Sequence, residues 1–286
     1  MDLITTINDG KLFVEINSKG AELWRIYDTE GTNYLWNGDS TFWGRRAPTL
    51  FPICGGMIGD GYIYEGKEYS MPKHGFCRDA EFELEAAEPN RAVYLIKDNE
   101  ERYKLFPFRF EFRIEYKIED GALKVIYRVK NLGENTMYFS VGSHEAYACP
   151  EGIEDYSIEF EKPEKLVSLE IADNLVQKGR TLIGENVSRL PMSYEYFKID
   201  ALCFQNILSK RVSLVGKDRR IDVEFDGFEY VLLWTKQGAP FLCIELNCGI
   251  DDYADSDRLL KHKKGSVALD SGKEYVLCHS MRFSKA

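Results

Sequence analysis

Hydrophobic residues recur at every second position through much of this 286-residue chain. The clearest case runs from Phe108 to Ile118, where apolar side chains alternate with polar or charged ones. The same alternation resumes from Leu123 to Val129, after the tripeptide EDG at 119–121. A period of two places successive side chains on opposite faces of a strand, so two such runs around a glycine-containing turn predict a β-hairpin.

The same alternation predicts strands throughout the chain. The predicted segments are 11–16, 21–28, 81–86, 91–98, 155–161, 219–225, 230–235, 240–246 and 273–283. No segment has a long period near 3.6, and aromatic residues make up 13% of the chain, which favours strands over helices. We therefore expect an all-β protein, a large antiparallel β-sandwich with few short helices. The segment 162–200 is less regular, and there we expect loops or a peripheral excursion.

Composition limits the number of domains and the classes of partner that we expect for this chain. No linker rich in Gly, Ser or Pro divides it, so we expect a single domain over 1–286. A net charge of −10 without a basic stripe argues against nucleic acid and anionic membranes as partners. The longest apolar runs are too short to span a bilayer. Seven dispersed cysteines and the absence of a secretory signal predict a reducing, cytoplasmic location.

Several classes of chemistry lack their motifs in this sequence. There is no HExxH motif and no CxxC pair, which argues against a dedicated zinc site. The G-x-S-x-G elbow of serine hydrolases and the glycine-rich phosphate motifs of nucleotide-binding proteins are also missing. We therefore expect neither a metal nor an organic cofactor.

Two of the four histidines stand where loops follow strands. His74 lies in SMPKHGFCRD and His144 in FSVGSHEAYACP, and loops at strand ends are where sites are usually built on a sheet. His262 lies in a basic stretch and is predicted to be solvated. His279 falls on the alternation of a predicted strand and is predicted to be a structural histidine.

Glu245 lies near the end of the apolar run PFLCIELN. Strand alternation places it on one face with Phe241 and Cys243, opposite a face of leucine and isoleucine that is predicted to pack into the sandwich. Glu245 can then project into a cleft with partly apolar surroundings. Together with His74 and His144 it would supply the groups that cofactor-free acid–base catalysis needs. The sequence alone does not show that the three converge.

Six motifs in order give the chain a family resemblance. They are GAELWRI, YLWNGDSTFWGRRAPTLFPICGG, MPKHGFCRD, YFSVGSHEAY, FKIDALCF and LLWTKQGAPFLCIE. The chain resembles the aldose 1-epimerase (galactose mutarotase) family, in particular its LacX-like branch. The resemblance implies a supersandwich of antiparallel strands with an open sugar-binding cleft. It also implies interconversion of the α and β anomers of a free aldose without metal or cofactor.

The resemblance also implies roles for individual residues. Glu245 matches the general base that takes the anomeric hydroxyl proton, His144 the acid that protonates the ring oxygen, and His74 a second histidine that hydrogen-bonds the sugar. The implied substrate-binding residues are Arg78, Asp200, Arg46 and Trp234. Asp200 would accept sugar hydroxyls and Trp234 would offer an apolar platform to the ring.

Some positions depart from the family pattern. Glu145 follows His144 where a proline is common, Leu246-Asn247 replace Pro-Trp after the base, and Gly56 stands where the branch commonly has arginine. We expect these changes to alter the walls of the cleft.

Two alternatives to a free-aldose mutarotase stay open at this point. One is a hexose-6-phosphate mutarotase, with arginines such as Arg45, Arg46 and Arg78 holding the phosphate. The other is a sugar-binding protein that has lost turnover. In each case the partner is a small-molecule sugar, and the chain would be a monomer or a homodimer.

Overall fold

The computed structural model describes residues 3–285. Strands take up 53% of the chain and helix about 8%, which confirms an all-β protein with few short helices. The described residues contain one α-helix, α1 (Glu100–Leu105), and five short 3-10 turns. None of the helices within 3–285 has the length and apolar character that crossing a membrane requires.

The part of the chain that the structure describes contains twenty strands. They are β1 (Ile4–Asn8), β2 (Leu12–Asn17), β3 (Glu22–Asp28), β4 (Gly61–Tyr64), β5 (Lys67–Ser70), β6 (Glu83–Glu88), β7 (Arg91–Lys97), β8 (Phe110–Glu119), β9 (Ala122–Asn131), β10 (Met137–Phe139), β11 (Glu145–Ala148), β12 (Ser157–Ala172), β13 (Leu175–Pro191), β14 (Leu202–Gln205), β15 (Arg211–Val215), β16 (Arg220–Asp226), β17 (Tyr230–Trp234), β18 (Phe241–Asn247), β19 (Val267–Leu269) and β20 (Glu274–Ser284).

Thirteen of these strands form one antiparallel sheet. Its order is β11-β18-β17-β14-β12-β15-β16-β20-β9-β8-β7-β6, with β13 paired to β12. Strands β11 and β20 are separated by six others in this order, yet Glu145 on β11 contacts His279 on β20 at 3.1 Å. The sheet therefore folds back on itself, and its two inner faces enclose the core. A smaller sheet, β1-β2-β3, packs against the same core.

The predicted hairpin is β8–β9, and its side chains are alternately buried and half-buried along β8. Asp120 and Gly121 at its turn both have positive φ, 53° and 70°. Two such residues are what a tight hairpin turn requires, which explains the Asp-Gly pair in the sequence.

Of the two expectations for 162–200, loops are wrong over most of the segment, whereas the outer strand β13, paired only with β12, lies at the periphery. Strands β12 and β13 form a long hairpin there, with a turn at Asp173 and Asn174. Register shifts interrupt the pairing at several points, and β13 is largely exposed on both faces. Bulges break the period of two, and an exposed strand needs no apolar residues at alternate positions, so this segment has no strand pattern in its sequence.

Candidate active site

Strand β18 divides its side chains between two environments. Leu242, Ile244 and Leu246 join the main core, whereas Phe241 and Cys243 belong to a smaller cluster of aromatic residues. This confirms the predicted parity of the strand. Glu245 shares the face of Phe241 and Cys243, is only 4% exposed, and lines a cavity of about 790 Å³.

His144 reaches the same cavity from the segment that leads into β11. Strand β11 pairs with β18, and the N–H of Ser143 donates to the carbonyl of Leu246 at 3.0 Å. This pairing brings Nε2 of His144 to 3.3 Å from Oε1 of Glu245. Gly142 allows the close approach of the two segments, because a Cβ there would lie 1.9 Å from Oδ1 of Asn247.

His74 lies in a loop with a positive φ of 66° and also lines the cavity. Its backbone N–H donates to the carbonyl of Gly55 at 2.8 Å, and the N–H of Gly55 donates to Nδ1 of its ring at 3.1 Å. Because Nδ1 accepts a hydrogen bond, the neutral ring carries its proton on Nε2. The ring centroids of His74 and His144 are 5.7 Å apart, so the structure brings together the three predicted catalytic residues.

Two tryptophans form an aromatic wall beside His144. Trp43 stacks on the imidazole with a centroid distance of 5.0 Å, and Trp234 meets it edge-on at 5.7 Å. The indole N–H of Trp36 donates to the carbonyl of Trp43 at 2.9 Å and so fixes the loop that carries it. Sequence reasoning proposed Trp234 and missed Trp43, although Trp43 lies in the motif segment FWGRR.

Burial shifts the pKa values of the three predicted catalytic groups. Removal from water raises the pKa of Glu245 to about 8 and lowers the pKa of His144 to about 3. The pKa of His74 is also well below its usual value, because of burial and then the neighbouring His144. Glu245 and His144 therefore hold a single proton between them across the neutral range, and their titrations are coupled.

Charged residues of both signs complete the lining. Arg78 and Asp200 line the cavity as predicted, and so do Lys73 and Asp251, which sequence reasoning did not select. The one available hint was position, since Lys73 directly precedes His74 and the loop of Asp251 follows β18.

Arg46 does not line the cavity with the other candidates. Its guanidinium lies over the ring of Trp24, 3.7 Å from the centroid, and donates to the carbonyl of the same residue. We therefore leave Arg46 out of the proposed site.

Two of the departures from the family pattern, Leu246 and Glu145, lie behind the cavity wall. Leu246 packs in the main core, and Glu145 points inward, where its Oε1 lies 3.1 Å from Nε2 of His279. The expectation that these positions alter the wall is wrong for both of them, because strand parity turns them to the core face. His279 is 1% exposed, as predicted for a structural histidine, and His262 is exposed beside Asp257.

No group of three or more His, Cys, Asp or Glu side chains within 3–285 is placed to hold a metal ion. The cavity therefore offers imidazoles, carboxylates, cations and an aromatic face. Such a set suits a neutral, polyhydroxylated ligand, because hydroxyls both donate and accept.

Comparison with known proteins decides the family. The sequence model of the aldose 1-epimerase family matches residues 2–281. The chain belongs to the aldose 1-epimerase family. It is 33% identical over 273 residues to the plasmid-borne protein LacX of Lactococcus lactis subsp. lactis, covering 88% of this chain and 90% of LacX.

Solved structures agree with this family assignment. A galactose mutarotase related enzyme from Lactobacillus acidophilus is 32% identical, with a TM-score of 0.93 over 99% of this chain and 97% of its own. A galactose mutarotase-like protein from Lactobacillus casei is 27% identical, with a TM-score of 0.91 over 99% of this chain and 100% of its own. The predicted galactose mutarotase-like fold is confirmed.

Proposed function

We propose that this aldose 1-epimerase family member interconverts the α and β anomers of a free aldose. The observation that carries the proposal is the contact of Nε2 of His144 with Oε1 of Glu245, at 3.3 Å, in the wall of the cavity. Anomer exchange needs one proton removed from the C1 hydroxyl and one delivered to the ring oxygen. A buried pair that holds a single proton can do both.

The protons and bonds balance without any other reactant. In ring opening, one group takes the C1 hydroxyl proton, the other protonates the ring oxygen, the bond from C1 to that oxygen breaks and the aldehyde forms. After rotation about C1–C2, the C5 hydroxyl oxygen attacks the other face of C1 and both protons return. Each group is therefore an acid in one half of the reaction and a base in the other.

The roles implied by the resemblance fit this scheme with one added step. Burial alone leaves the shared proton on Glu245, since its pKa is raised to about 8 while that of His144 is lowered to about 3. For Glu245 to act first as the base, the proton must cross to His144 when the sugar binds. Hydroxyl groups that donate to the carboxylate favour this transfer, because they stabilise its ionised form.

The remaining lining residues would bind and orient the ring. Nε2 of His74 would donate to the ring oxygen or a neighbouring hydroxyl, and Trp43 and Trp234 would cover an apolar face of the sugar. Asp200 lines the cavity and would accept sugar hydroxyls, and Arg78 would donate to them.

Acidic residues among the cationic ones favour a free aldose over a sugar phosphate. The cationic lining residues are Lys73, Arg78 and Lys236, and the acidic ones other than the protonated Glu245 are Asp200 and Asp251. Carboxylates on the same cavity would oppose a phosphate dianion. A hexose 6-phosphate is the second candidate substrate, favoured by Nε of Arg78, a buried donor without a hydrogen-bond partner among residues 3–285.

The cysteines support the expected compartment. All seven are free, and six of them are buried. Free thiols are typical of a reducing cytosol, and a cytoplasmic location is part of the proposal.

Polarimetry tests the proposed activity. The relaxation of fresh α-D-glucose, α-D-galactose and α-D-glucose 6-phosphate is followed with the wild type, with Glu245→Gln and with Glu83→Gln, a control at an exposed carboxylate. We expect acceleration of a free aldose that is lost only in Glu245→Gln. Preference for the phosphate would favour the second candidate, and binding of sugar without acceleration of any of the three would overturn the proposed catalysis.

A further inference from the structure

Asp251 is a buried carboxylate of the cavity that the proposed proton transfers do not use. It lies four residues beyond the end of β18, is 4% exposed, and lines the cavity. Its Oδ1 accepts a hydrogen bond from the N–H of Gly56 at 2.6 Å. Its Oδ2 accepts no hydrogen bond from residues 3–285 and is not fully enclosed, so it can accept a hydrogen bond from a ligand in the cavity.

Lys73 places a cation beside this carboxylate. Its Nζ lies 3.9 Å from Oδ1 of Asp251 and donates to Oδ1 of Asn174 at 2.7 Å. An ammonium group has three N–H donors, so donors remain after the bond to Asn174. Lys73 also lines the cavity, and its side chain is 33% exposed. The pair therefore presents an acceptor and a donor side by side.

The surrounding backbone fixes this pair. Asn174 is at the tip of the β12–β13 hairpin, and that tip is tied to the loop of Asp251 by the N–H of Val176, which donates to the carbonyl of Asp252 at 2.8 Å. A Cβ at Gly56 would lie 3.2 Å from the carbonyl oxygen of Asn174 and 3.4 Å from Oδ1 of Asp251. The absence of a side chain at Gly56 lets the hairpin tip and the Asp251 loop close together.

We propose that Asp251 and Lys73 recognise two neighbouring hydroxyl groups of the sugar and so determine which aldose is accepted. One hydroxyl donates to Oδ2 of Asp251, and the adjacent one accepts from Nζ of Lys73. This inference rests on the proposed function, because Glu245 and His144 engage the anomeric hydroxyl and the ring oxygen and leave the other hydroxyls to be recognised elsewhere.

Charge explains why a diol suits this pair better than an ion. Asp251 repels an anion and Lys73 repels a metal cation, whereas a neutral diol satisfies both groups without net charge. Carboxylate and ammonium groups also form stronger hydrogen bonds with hydroxyls than neutral partners do. These contacts are made equally in the ground state and the transition state, so they set KM rather than kcat.

The test combines variants with altered sugars. The variants are Asp251→Asn, which keeps the shape and an oxygen for the N–H of Gly56, and Lys73→Met. The control is the double variant Lys178→Met/Asp255→Asn, which removes an exposed pair 3.8 Å apart between the same hairpin and loop. The ligands are D-glucose, D-galactose and their 2-, 3-, 4- and 6-deoxy analogues. Affinity is read from the fluorescence of Trp43 and Trp234, and KM and kcat from polarimetry.

We expect one hydroxyl position at which removal weakens binding to the wild type by about tenfold or more, the loss of one charge-assisted hydrogen bond. In Asp251→Asn, removal of the same hydroxyl from the sugar should weaken binding by no more than about twofold, because the charged acceptor of that hydroxyl is already gone. In Lys73→Met, the reduced effect on affinity should appear for removal of the neighbouring hydroxyl of the sugar. The control should match the wild type in affinity and in kcat, and in the two site variants KM on the parent sugar should rise by a larger factor than kcat falls.

Each outcome decides the inference. Acceleration by the wild type without coupling at any hydroxyl overturns the inference and leaves the proposed function standing. Binding with coupling but without acceleration supports recognition by Asp251 and Lys73 and overturns the proposed catalysis. A protein that neither binds nor converts any of these sugars overturns both.

Discussion

Replacing Glu245 by glutamine tests whether burial of its carboxylate is responsible for the raised pKa. Glu245 is 4% exposed, and burial is the main cause that raises its pKa from 4.5 to about 8. The folded protein therefore binds a proton at this site more tightly than the unfolded chain does. Between these two pKa values the wild type loses stability as the pH rises, by about 1.4 kcal/mol per pH unit. Glutamine has nearly the same shape and does not titrate.

The magnitude follows from the two pKa values. At pH 7, about 2.5 units above the unfolded value, the buried carboxyl destabilises the fold by roughly 3 kcal/mol. We therefore expect the free energy of unfolding of Glu245→Gln to exceed that of the wild type by about this amount at pH 7. The difference should shrink towards pH 5 and reach its maximum above pH 8. Glu245 would then be required for the proposed activity and would also lower the free energy of unfolding at neutral pH.

Urea unfolding between pH 5 and pH 8.5 measures this difference. Glu83→Gln, which removes a carboxylate from an exposed strand position, is the matched control. A stability gain that is the same at every pH would show that the effect comes from packing rather than from the proton. A glutamine variant less stable than the wild type at pH 7 would refute the reasoning, because the carboxylate would then be stabilised by its surroundings.

Three further predictions concern the pair and its supports. First, kcat/KM should fall about tenfold per pH unit above the pKa of about 8 of Glu245, where the catalytic pair loses its one proton; an unchanged rate to pH 10 would contradict this. Second, Gly142→Ala should lower kcat, because its Cβ would lie 1.9 Å from Oδ1 of Asn247 and would displace this side chain, which contacts Glu245. Full activity of the variant would show that the position of Asn247 is not needed for the reaction. Third, Glu145→Leu and His279→Leu should each cost about 3–5 kcal/mol in urea unfolding, and the double variant less than their sum; additive losses would exclude coupling.

The alternation of apolar residues was enough to predict the all-β class of the fold and the face of β18 on which Glu245 lies. Burial on β8 follows the sequence pattern, because each strand there has one core face and one outer face. The same parity predicted that Glu245 would leave the core that Ile244 and Leu246 enter. Parity is a local property, so a single sequence is sufficient to derive it.

The convergence of the predicted catalytic groups is not a local property, and no periodicity could have shown it. His144 and Glu245 are 101 residues apart and meet because β11 pairs with β18, a pairing between distant segments. The family resemblance implied their roles, whereas only the structure shows that Nε2 of His144 lies 3.3 Å from Oε1 of Glu245. The hairpin β12–β13 was missed for a related reason: its strands are held by pairing and bulges rather than by a buried face.

Two of the residues that sequence reasoning missed share a physical property. Lys73 and Asp251 are charged residues in loops, where no alternation marks a position as buried. Glu245 could be selected from the sequence because a carboxylate between two apolar residues is rarely buried without a functional partner. Asp251 is equally buried, yet it lies in a loop between Ile250 and Asp252 with no alternation around it, so its burial becomes evident only from the segments that fold over it. A buried charge in a loop is therefore identified by what covers it, and here the cover is the tip of the hairpin that the sequence did not predict.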